Sequence, residues 1–233
     1  MKNRLRNLVV VVPVHNESSL LARCLDGLSA AVANVAVPVS VVVVLDSCTD
    51  DSPGIAERFD VTRVVVDALN VGTARAAGFE HARAPDGGNP GINDATWLAT
   101  TDADSRVPPD WLRRQLSYAD SGYDAVAGTV RVDDWSGYSS NVRDGYEQSY
   151  VEHARHIHGA NIGFSSTLYS RVGGFRPLVH DEDVDLVHRF LSADASVAWA
   201  DDLPVLTSGR VRGRAPAGFA DHLQRLALQE ANR

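Results

Sequence analysis

The amino-acid sequence predicts an α/β domain built on a mostly parallel central sheet. Leu8–Val12 and Val39–Leu45 are apolar runs rich in β-branched residues, the pattern of parallel strands covered on both faces. Between them, Glu17–Val32 places Leu20, Leu21, Cys24, Leu25 and Leu28 at helical spacing. The same alternation of strand and helix continues through the first half of the chain, which is how parallel sheets are connected.

The remaining elements follow in order. Asp50–Phe59 reads as a short helix and Thr62–Val66 as a third strand. Thr73–Ala84 reads as a helix with Ala74, Ala77, Gly78 and His81 on one side, and Arg83–Asn93 as a Pro/Gly-rich loop. Ala95–Thr100 is a fourth strand, Pro109–Ala119 a helix and Asp124–Val132 another strand. The second half is less regular. It holds a polar aromatic loop at Asp133–Tyr138, a helix over Asn141–His156, a short strand at Asn161–Phe164 and a helical turn at Thr167–Val172. Gly173-Gly174 makes a break, and Glu182–Leu191 is a helix. Val197–Trp199 and Val205–Thr207 read as two short strands, Ser208–Gly218 as a basic loop and Phe219–Ala231 as an amphipathic helix. The economical organisation is one domain over residues 1–233, divided into halves at 1–106 and 107–233.

Composition narrows the classes. The 233 residues carry a formal charge of −8, which argues against a broad nucleic-acid footprint. Cys24 and Cys48 are too few for a disulfide framework, so a reduced, cytoplasmic setting fits. The basic start at Met1–Asn7 leads into a short apolar run that goes directly to Pro13, His15, Asn16 and Glu17, which reads as a first strand and not as a signal peptide. No stretch approaches the length of a membrane span.

The motif richest in chemistry is Asp102-Ala-Asp104, at the end of the fourth strand. Alternate residues of an extended segment point the same way, so the two carboxylates can share one divalent cation. Mg²⁺ is commonly held by one or two carboxylates plus substrate phosphates, which suits a nucleotide-diphosphate ligand. The competing reading is an acidic turn before the helix that opens near Pro108-Pro109.

Other strand ends carry matching chemistry. Pro13-Val-His-Asn-Glu17 ends the first strand, where open α/β sheets bind ligands. His15 can stack on a base, or Asn16 can simply cap the next helix. Asp46-Ser-Cys-Thr-Asp50 ends the second strand; Asp46 can accept from a ribose hydroxyl or base N–H, or Ser47 and Thr49 can cap. In Asn70-Val-Gly-Thr-Ala-Arg75, Gly72 permits close approach and Arg75 can reach a base or diphosphate, although an arginine on a helix is usually solvated. Asp181, Glu182, Asp183 and Asp185 exceed what a helix N-terminus requires. Asp181 suits the cap, leaving Glu182 and Asp183 to a substrate, and crowded carboxylates raise one another's pKa. Arg210, Arg212 and Arg214 form a glycine-spaced basic loop able to close on a diphosphate. His153, His156, His158, His180 and His222 form no compact Cys/His zinc pattern and read as structural.

Together these segments resemble family 2 glycosyltransferases with the GT-A fold. The resemblance rests on Val11–Glu17, Asp46–Asp50, Asn70–Gly78, Asp102–Asp104, His158–Gly163, Gly173–Phe175 and Glu182–Leu186, in that order over most of the chain. It implies a Rossmann-like, mostly parallel sheet flanked by helices, with 1–106 the nucleotide-sugar half and 107–233 a smaller acceptor-side subregion. Pro13, His15, Glu17 and Asp46 would line a nucleoside pocket, with Arg75 near base or phosphates. Asp102 and Asp104 would hold Mg²⁺ or Mn²⁺, Asp104 the firmer ligand. Ala160 and Asn161 would lie beside donor sugar and acceptor, Arg210 and Arg214 at the diphosphate. Asp183, paired with Glu182, matches the family's catalytic base.

The implied activity is inverting, metal-dependent transfer from a UDP- or GDP-sugar to an acceptor hydroxyl, compatible with a lipid acceptor at the inner face of a membrane. Two departures matter. Leu45-Asp46 stands where many relatives carry two aspartates, and the processive Gln-x-x-Arg-Trp motif is absent, which argues against long-polymer synthesis. A sugar-phosphate nucleotidyltransferase is the first alternative, but its glycine-rich N-terminal loop is missing. A noncatalytic nucleotide-sugar-binding protein is the second.

Overall fold

The computed structural model describes residues 5–85, 91–152, 155–211, 213 and 219–231. Eight strands form one mixed sheet in the order β3-β2-β1-β4-β7-β6-β8-β5. The strands are β1 (Asn7–Val14), β2 (Val39–Asp46), β3 (Thr62–Val66), β4 (Thr96–Thr100), β5 (Ser105–Arg106), β6 (Ala125–Val132), β7 (Ile162–Ser165) and β8 (Val197–Thr207). The helices are α1 (Leu21–Ala33), α2 (Ser52–Ala56), α3 (Val71–His81), α4 (Trp111–Asp120), α5 (Ser140–Glu152), α6 (Ser166–Val172), α7 (Glu182–Ser192) and α8 (Phe219–Ala231).

The first half is parallel as expected: β1 pairs with β2 and β4, and β2 with β3. β7 then runs antiparallel to both β4 and β6. Alternation on β1 shows why its run of hydrophobes is unbroken. Leu8, Val10, Val12 and Val14 face a core shared with Leu21, Leu25, Leu28, Trp97 and Trp111, whereas Val9 and Val11 face a second core with Phe79, Phe164 and Phe190. A smaller aromatic cluster joins Val132, Tyr146 and Leu223, with Tyr150 and Phe219 packed against it.

Three expectations are corrected. α1 starts at Leu21 and not at Glu17, because Leu20 and Leu21 both donate backbone N–H bonds to the Glu17 carbonyl and Glu17 stays in the turn. On α3 the inward face is Gly72, Ala74, Arg75, Gly78 and Phe79, while His81 is exposed. The two short strands foreseen near the C-terminus are one strand, β8. Its paired stretches are separated by surplus residues, since Ala200 faces Gly128 but Val205 faces Val130. β5 was not foreseen; it is two residues long and pairs antiparallel with Leu206–Thr207.

Gly78 sets the distance between α3 and the sheet. A Cβ there would stand 2.7 Å from Val11 Cγ1 and 2.8 Å from Val44 Cγ2. Gly78→Ala is expected to destabilise the domain by about 1–3 kcal/mol, the usual cost of overpacking. Urea unfolding measures it, and an unchanged midpoint would show that α3 is free to shift.

Candidate active site

The carboxyl ends of β1, β2 and β4 open onto a cleft of about 850 Å³, the position where open α/β sheets take ligands. Pro13, His15, Glu17 and Asp46 line one side, and Arg75, Asp102 and Asp104 its floor. Ala160, Glu182, Asp183 and Arg210 complete it. Four non-glycine residues with positive φ sit in the bordering loops: Asn16 at 55°, Ser47 at 50°, Leu69 at 47° and Asp181 at 59°. Such backbone costs free energy and collects at functional sites.

Asp46 organises this side of the cleft. Its Oδ1 accepts from the backbone N–H of Ala68 and Leu69, at 2.8 and 2.9 Å, and its Oδ2 from Asn70, at 2.9 Å. Burial pushes its pKa up, but these three N–H groups and the Ser47 hydroxyl outweigh that and hold the carboxyl below its ordinary value. Asp46 therefore shapes the loop that follows β3. His15 Nδ1 lies 2.7 Å from the Asp46 carbonyl, which can only accept, so the proton sits on Nδ1. Asn16 does not cap α1. Its Oδ1 accepts from Thr49 N at 2.7 Å and Asp50 N at 3.2 Å, tying the first two strand-end loops together.

Arg75 is not a solvated helix residue. It is 2% exposed and lies beneath the cleft. Its Nη2 donates to Asp102 Oδ1 at 2.6 Å, its Nη1 pairs with Glu182 Oε1, and its Nε donates to Thr100 Oγ1 at 3.2 Å. The guanidinium also lies 5.5 Å from the Phe175 ring centre. Small residues flank it: a Cβ on Gly159 would press on the guanidinium, and one on Gly72 would run into the Arg176 carbonyl oxygen. Arg75 lines the cleft as the centre of a buried three-way ion pair with Asp102 and Glu182. The clue in the sequence was the setting of Arg75 among Gly72, Ala74, Ala76, Ala77 and Gly78, small residues that let a helix lie close to a sheet.

Asp104 faces Arg210. Arg210 Nη2 is 2.9 Å from Asp104 Oδ2, and its Nη1 is 2.6 Å from Glu17 Oε1. Burial pushes the Asp104 carboxyl up to about 6, against the pull of Arg210 and with the help of Asp102 and Glu17. Among the described residues no group of three or more His, Cys, Asp or Glu side chains is arranged to hold a metal. The donor set nonetheless fits a Mg²⁺- or Mn²⁺-type ion. Asp102 and Asp104 offer hard oxygen ligands, a guanidinium already stands where positive charge is wanted, and diphosphate and water would supply the rest.

Asp183 lies at the first turn of α7. Its Oδ2 accepts from Gly159 N at 2.6 Å and its Oδ1 from Val184 N at 2.8 Å. Burial first, and Glu182 second, push the carboxyl up to about 6, although Arg75 and the two N–H groups pull it down. Asp181 occupies the cap position but makes no capping bond; it pairs with His180 at 2.7 Å. Asp185 turns away to Arg189 and Arg176.

The structure does not bring the Asn161 side chain to the cleft. It is 1% exposed, accepts from Trp111 Nε1 at 2.8 Å and donates to the Thr129 and Leu203 carbonyls. With its amide turned inward, only neighbouring Ala160 lines the cavity. Arg212, Arg214 and His153 lie outside the described residues. The sequence reading missed the aromatic wall of Tyr146, Tyr150 and Phe219, which α5 and α8 contribute from far apart in the chain.

Two outcomes follow from this electrostatic arrangement. Arg75→Met leaves Glu182 buried without its cation and should cost about 3–5 kcal/mol in urea unfolding; a loss below about 1 kcal/mol, the range of a surface pair, would contradict the buried hub. Asp183→Asn should stabilise the protein. The fold penalises the charged carboxylate, fully above about pH 6 and not at all below the ordinary carboxyl value of 3.8. The gain should be about 1–3 kcal/mol at pH 8 and vanish towards pH 4. A gain independent of pH would show that the carboxyl is not raised.

The profile of Glycosyl transferase family 2 matches residues 9–178, the segment that supplies every strand end around the cleft except that of β8. Among curated relatives, an undecaprenyl-phosphate 4-deoxy-4-formamido-L-arabinose transferase of Pectobacterium atrosepticum is 31% identical over 139 residues, 57% of this chain and 39% of that protein. The succinoglycan biosynthesis protein ExoO of Rhizobium meliloti is 30% identical over 129 residues, 54% of this chain and 33% of that protein. The chain therefore spans well under half the length of these relatives. Among solved structures, the mannosyltransferase PcManGT from Pyrobaculum calidifontis, in complex with GDP-Man and Mn²⁺, superposes with a TM-score of 0.67 at 23% identity over 91% of this chain and 59% of its own. TarS 1-349 of S. aureus with UDP-GlcNAc gives 0.66 at 15% identity, over 96% and 66%. Likenesses at these identities bear on the fold, which is that of the GT-A glycosyltransferases. The chain belongs to glycosyl transferase family 2.

Proposed function

We propose that this glycosyltransferase moves a sugar, with inversion and metal assistance, from a nucleotide-diphosphate donor to an acceptor hydroxyl. The observation that carries the reading is the raised, cleft-facing carboxyl of Asp183, joined through Glu182 and Arg75 to Asp102 of the Asp-Ala-Asp loop. One cleft thus holds a group suited to take a proton and a pair of carboxylates suited to a nucleotide-bound cation. That such donors and Mn²⁺ occupy structural relatives supports the reading.

Pro13, His15, Glu17 and the loop shaped by Asp46 would receive the nucleoside. Asp104, with Asp102, would hold a Mg²⁺ or Mn²⁺ ion, which when bound neutralises charge on the departing diphosphate. Ala160 would lie beside the sugar and Arg210 at the diphosphate. Asp183 would accept the acceptor's proton as the new glycosidic C–O bond forms and the bond from the anomeric carbon to the diphosphate breaks on the opposite face. A carboxyl pushed up to about 6 is better matched to that proton transfer near neutral pH than an ordinary one.

The named substrate of the curated relatives favours a second reading, in which the acceptor is a lipid phosphate at a membrane surface. Arg155 and Arg225 add positive charge to the cleft lining, which also holds the aromatic wall. A phosphate monoester needs little help in losing a proton at neutral pH, so Asp183 would matter less. In the described residues no helix is long and apolar enough to cross a membrane.

One set of variants separates these readings. Calorimetry with UDP and GDP in Mn²⁺ should show donor-nucleotide binding lost in Asp104→Ala and retained in Asp183→Asn. With a hydroxyl acceptor, Asp183→Asn should lose at least about a hundredfold in turnover, the lower range for general-base assistance. Turnover should also fall as pH drops through about 6, where the wild-type carboxyl takes up its proton. Near-normal transfer by Asp183→Asn to a polyprenyl phosphate would move the assignment to the second reading. Nucleotide binding that ignores metal would end the metal role.

A further inference from the structure

Arg210 has a position that donor binding alone does not explain. Its guanidinium bridges two carboxylates from separate strand ends, Glu17 after β1 and Asp104 after β4. It is also not free to wander. The residue after Asp104 is tied to the strand that leads into Arg210: Ser105 pairs with Thr207, the last residue of β8, and their hydroxyls lie 2.9 Å apart. Arg210 N donates to Ser208 Oγ at 3.2 Å, and Tyr138 Oη donates to the Arg210 carbonyl at 3.3 Å. At Gly209 a Cβ would run into the Asp134 carbonyl, so the strap lies flat on the neighbouring loop. The backbone of Arg210 is thus fastened beside Asp104, while its side chain is 26% exposed at the cleft wall.

A guanidinium at 2.9 Å from Asp104 Oδ2 takes one of the two oxygens a divalent cation would use and places a like charge at its door. Its departure is favoured when another anion receives it, because a guanidinium drawn off Glu17 and Asp104 gives up two charge-assisted contacts. Side-chain exposure of Glu17 is 7% and of Asp104 13%. A diphosphate is such an anion, and arginine binds phosphate in a fork.

We propose that Arg210 is a displaceable counter-ion that keeps the Asp104 site closed to a bare divalent cation, so that metal and diphosphate enter together and Arg210 transfers from Asp104 to the diphosphate. The inference deepens the metal reading of this site and rests on it. It makes Arg210 a residue that sets the order and selectivity of binding, with Glu17 as the anchor that holds it in the waiting position.

The test uses Mn²⁺ alone, followed by the loss of its free-ion electron paramagnetic resonance signal, on the wild-type chain, Arg210→Gln and Arg210→Lys. Circular dichroism melts establish that all three are folded. Arg210→Gln should bind Mn²⁺ at least about tenfold more tightly than wild type, a conservative effect for removing one unit charge at contact distance. Arg210→Lys, which keeps the charge, should stay near wild type. Equal or weaker Mn²⁺ binding by folded Arg210→Gln overturns the inference. If none of the three binds Mn²⁺ even with saturating UDP or GDP, the metal reading itself falls, which is a distinguishable result, and the counter-ion role falls with it.

Discussion

The architecture of the cleft depends on one buried cation. Sinking a guanidinium beneath a sheet end is tolerable only if its charge and its donors are answered. Arg75 is answered by Asp102 at the end of β4, by Glu182 at the start of α7, by Thr100 and by the Phe175 ring. Those partners come from three parts of the chain, so the ion pair fixes their mutual placement more strictly than apolar packing does. α3 must lie close enough for Arg75 to reach them, which is why Gly72 and Gly78 face inward on that helix. The loop at Gly159 must pass over the guanidinium without a side chain, and in doing so it presents its N–H to Asp183.

The two raised carboxyls, Asp104 and Asp183, show the cost of such a site. Each is pushed up to about 6 chiefly by burial. Asp46, also partly withdrawn from water, goes the other way because three backbone N–H groups converge on it. The same side chain is therefore tuned in opposite directions by the donors that reach it and by the like charges beside it. Asp46 spends its hydrogen bonds on structure, whereas Asp104 and Asp183 keep a raised proton affinity at some expense of stability.

Much of this was legible in the sequence, for physical reasons that can be named. β1 and β2 are covered on both faces, so their apolar runs announce them. The strand-end motifs could be ordered because parallel topology brings successive carboxyl ends to one edge. α3 is legible but its inward face is not, since a helix rich in Ala and Gly carries almost no hydrophobic asymmetry and buries an arginine beside Phe79. Asn161 was assigned to the ligand although its amide satisfies Trp111 and two carbonyls of the core, a role that leaves no trace in local sequence. β8 was split because Asp201, Asp202 and Pro204 interrupt its pattern where the ladder with β6 carries its extra residues. The aromatic wall needed a contact between α5 and α8 that no periodicity reveals.

The short β5–β8 ladder has an evolutionary consequence. Ser105–Arg106 and Leu206–Thr207 are hydrogen-bonded neighbours, yet α4 to α7 lie between them in the chain. The ladder works as a clasp at the neck of a long excursion. Changes of length on the outer parts of that excursion leave Asp104 and Arg210 in register, because their spacing is set at the clasp and not by the path between. A lineage can thus remodel the outer surface of the excursion by insertion and deletion while the cleft residues on either side of the clasp keep their spacing. The same clasp makes substitutions at Ser105 and Thr207 harder to accommodate than their small size suggests.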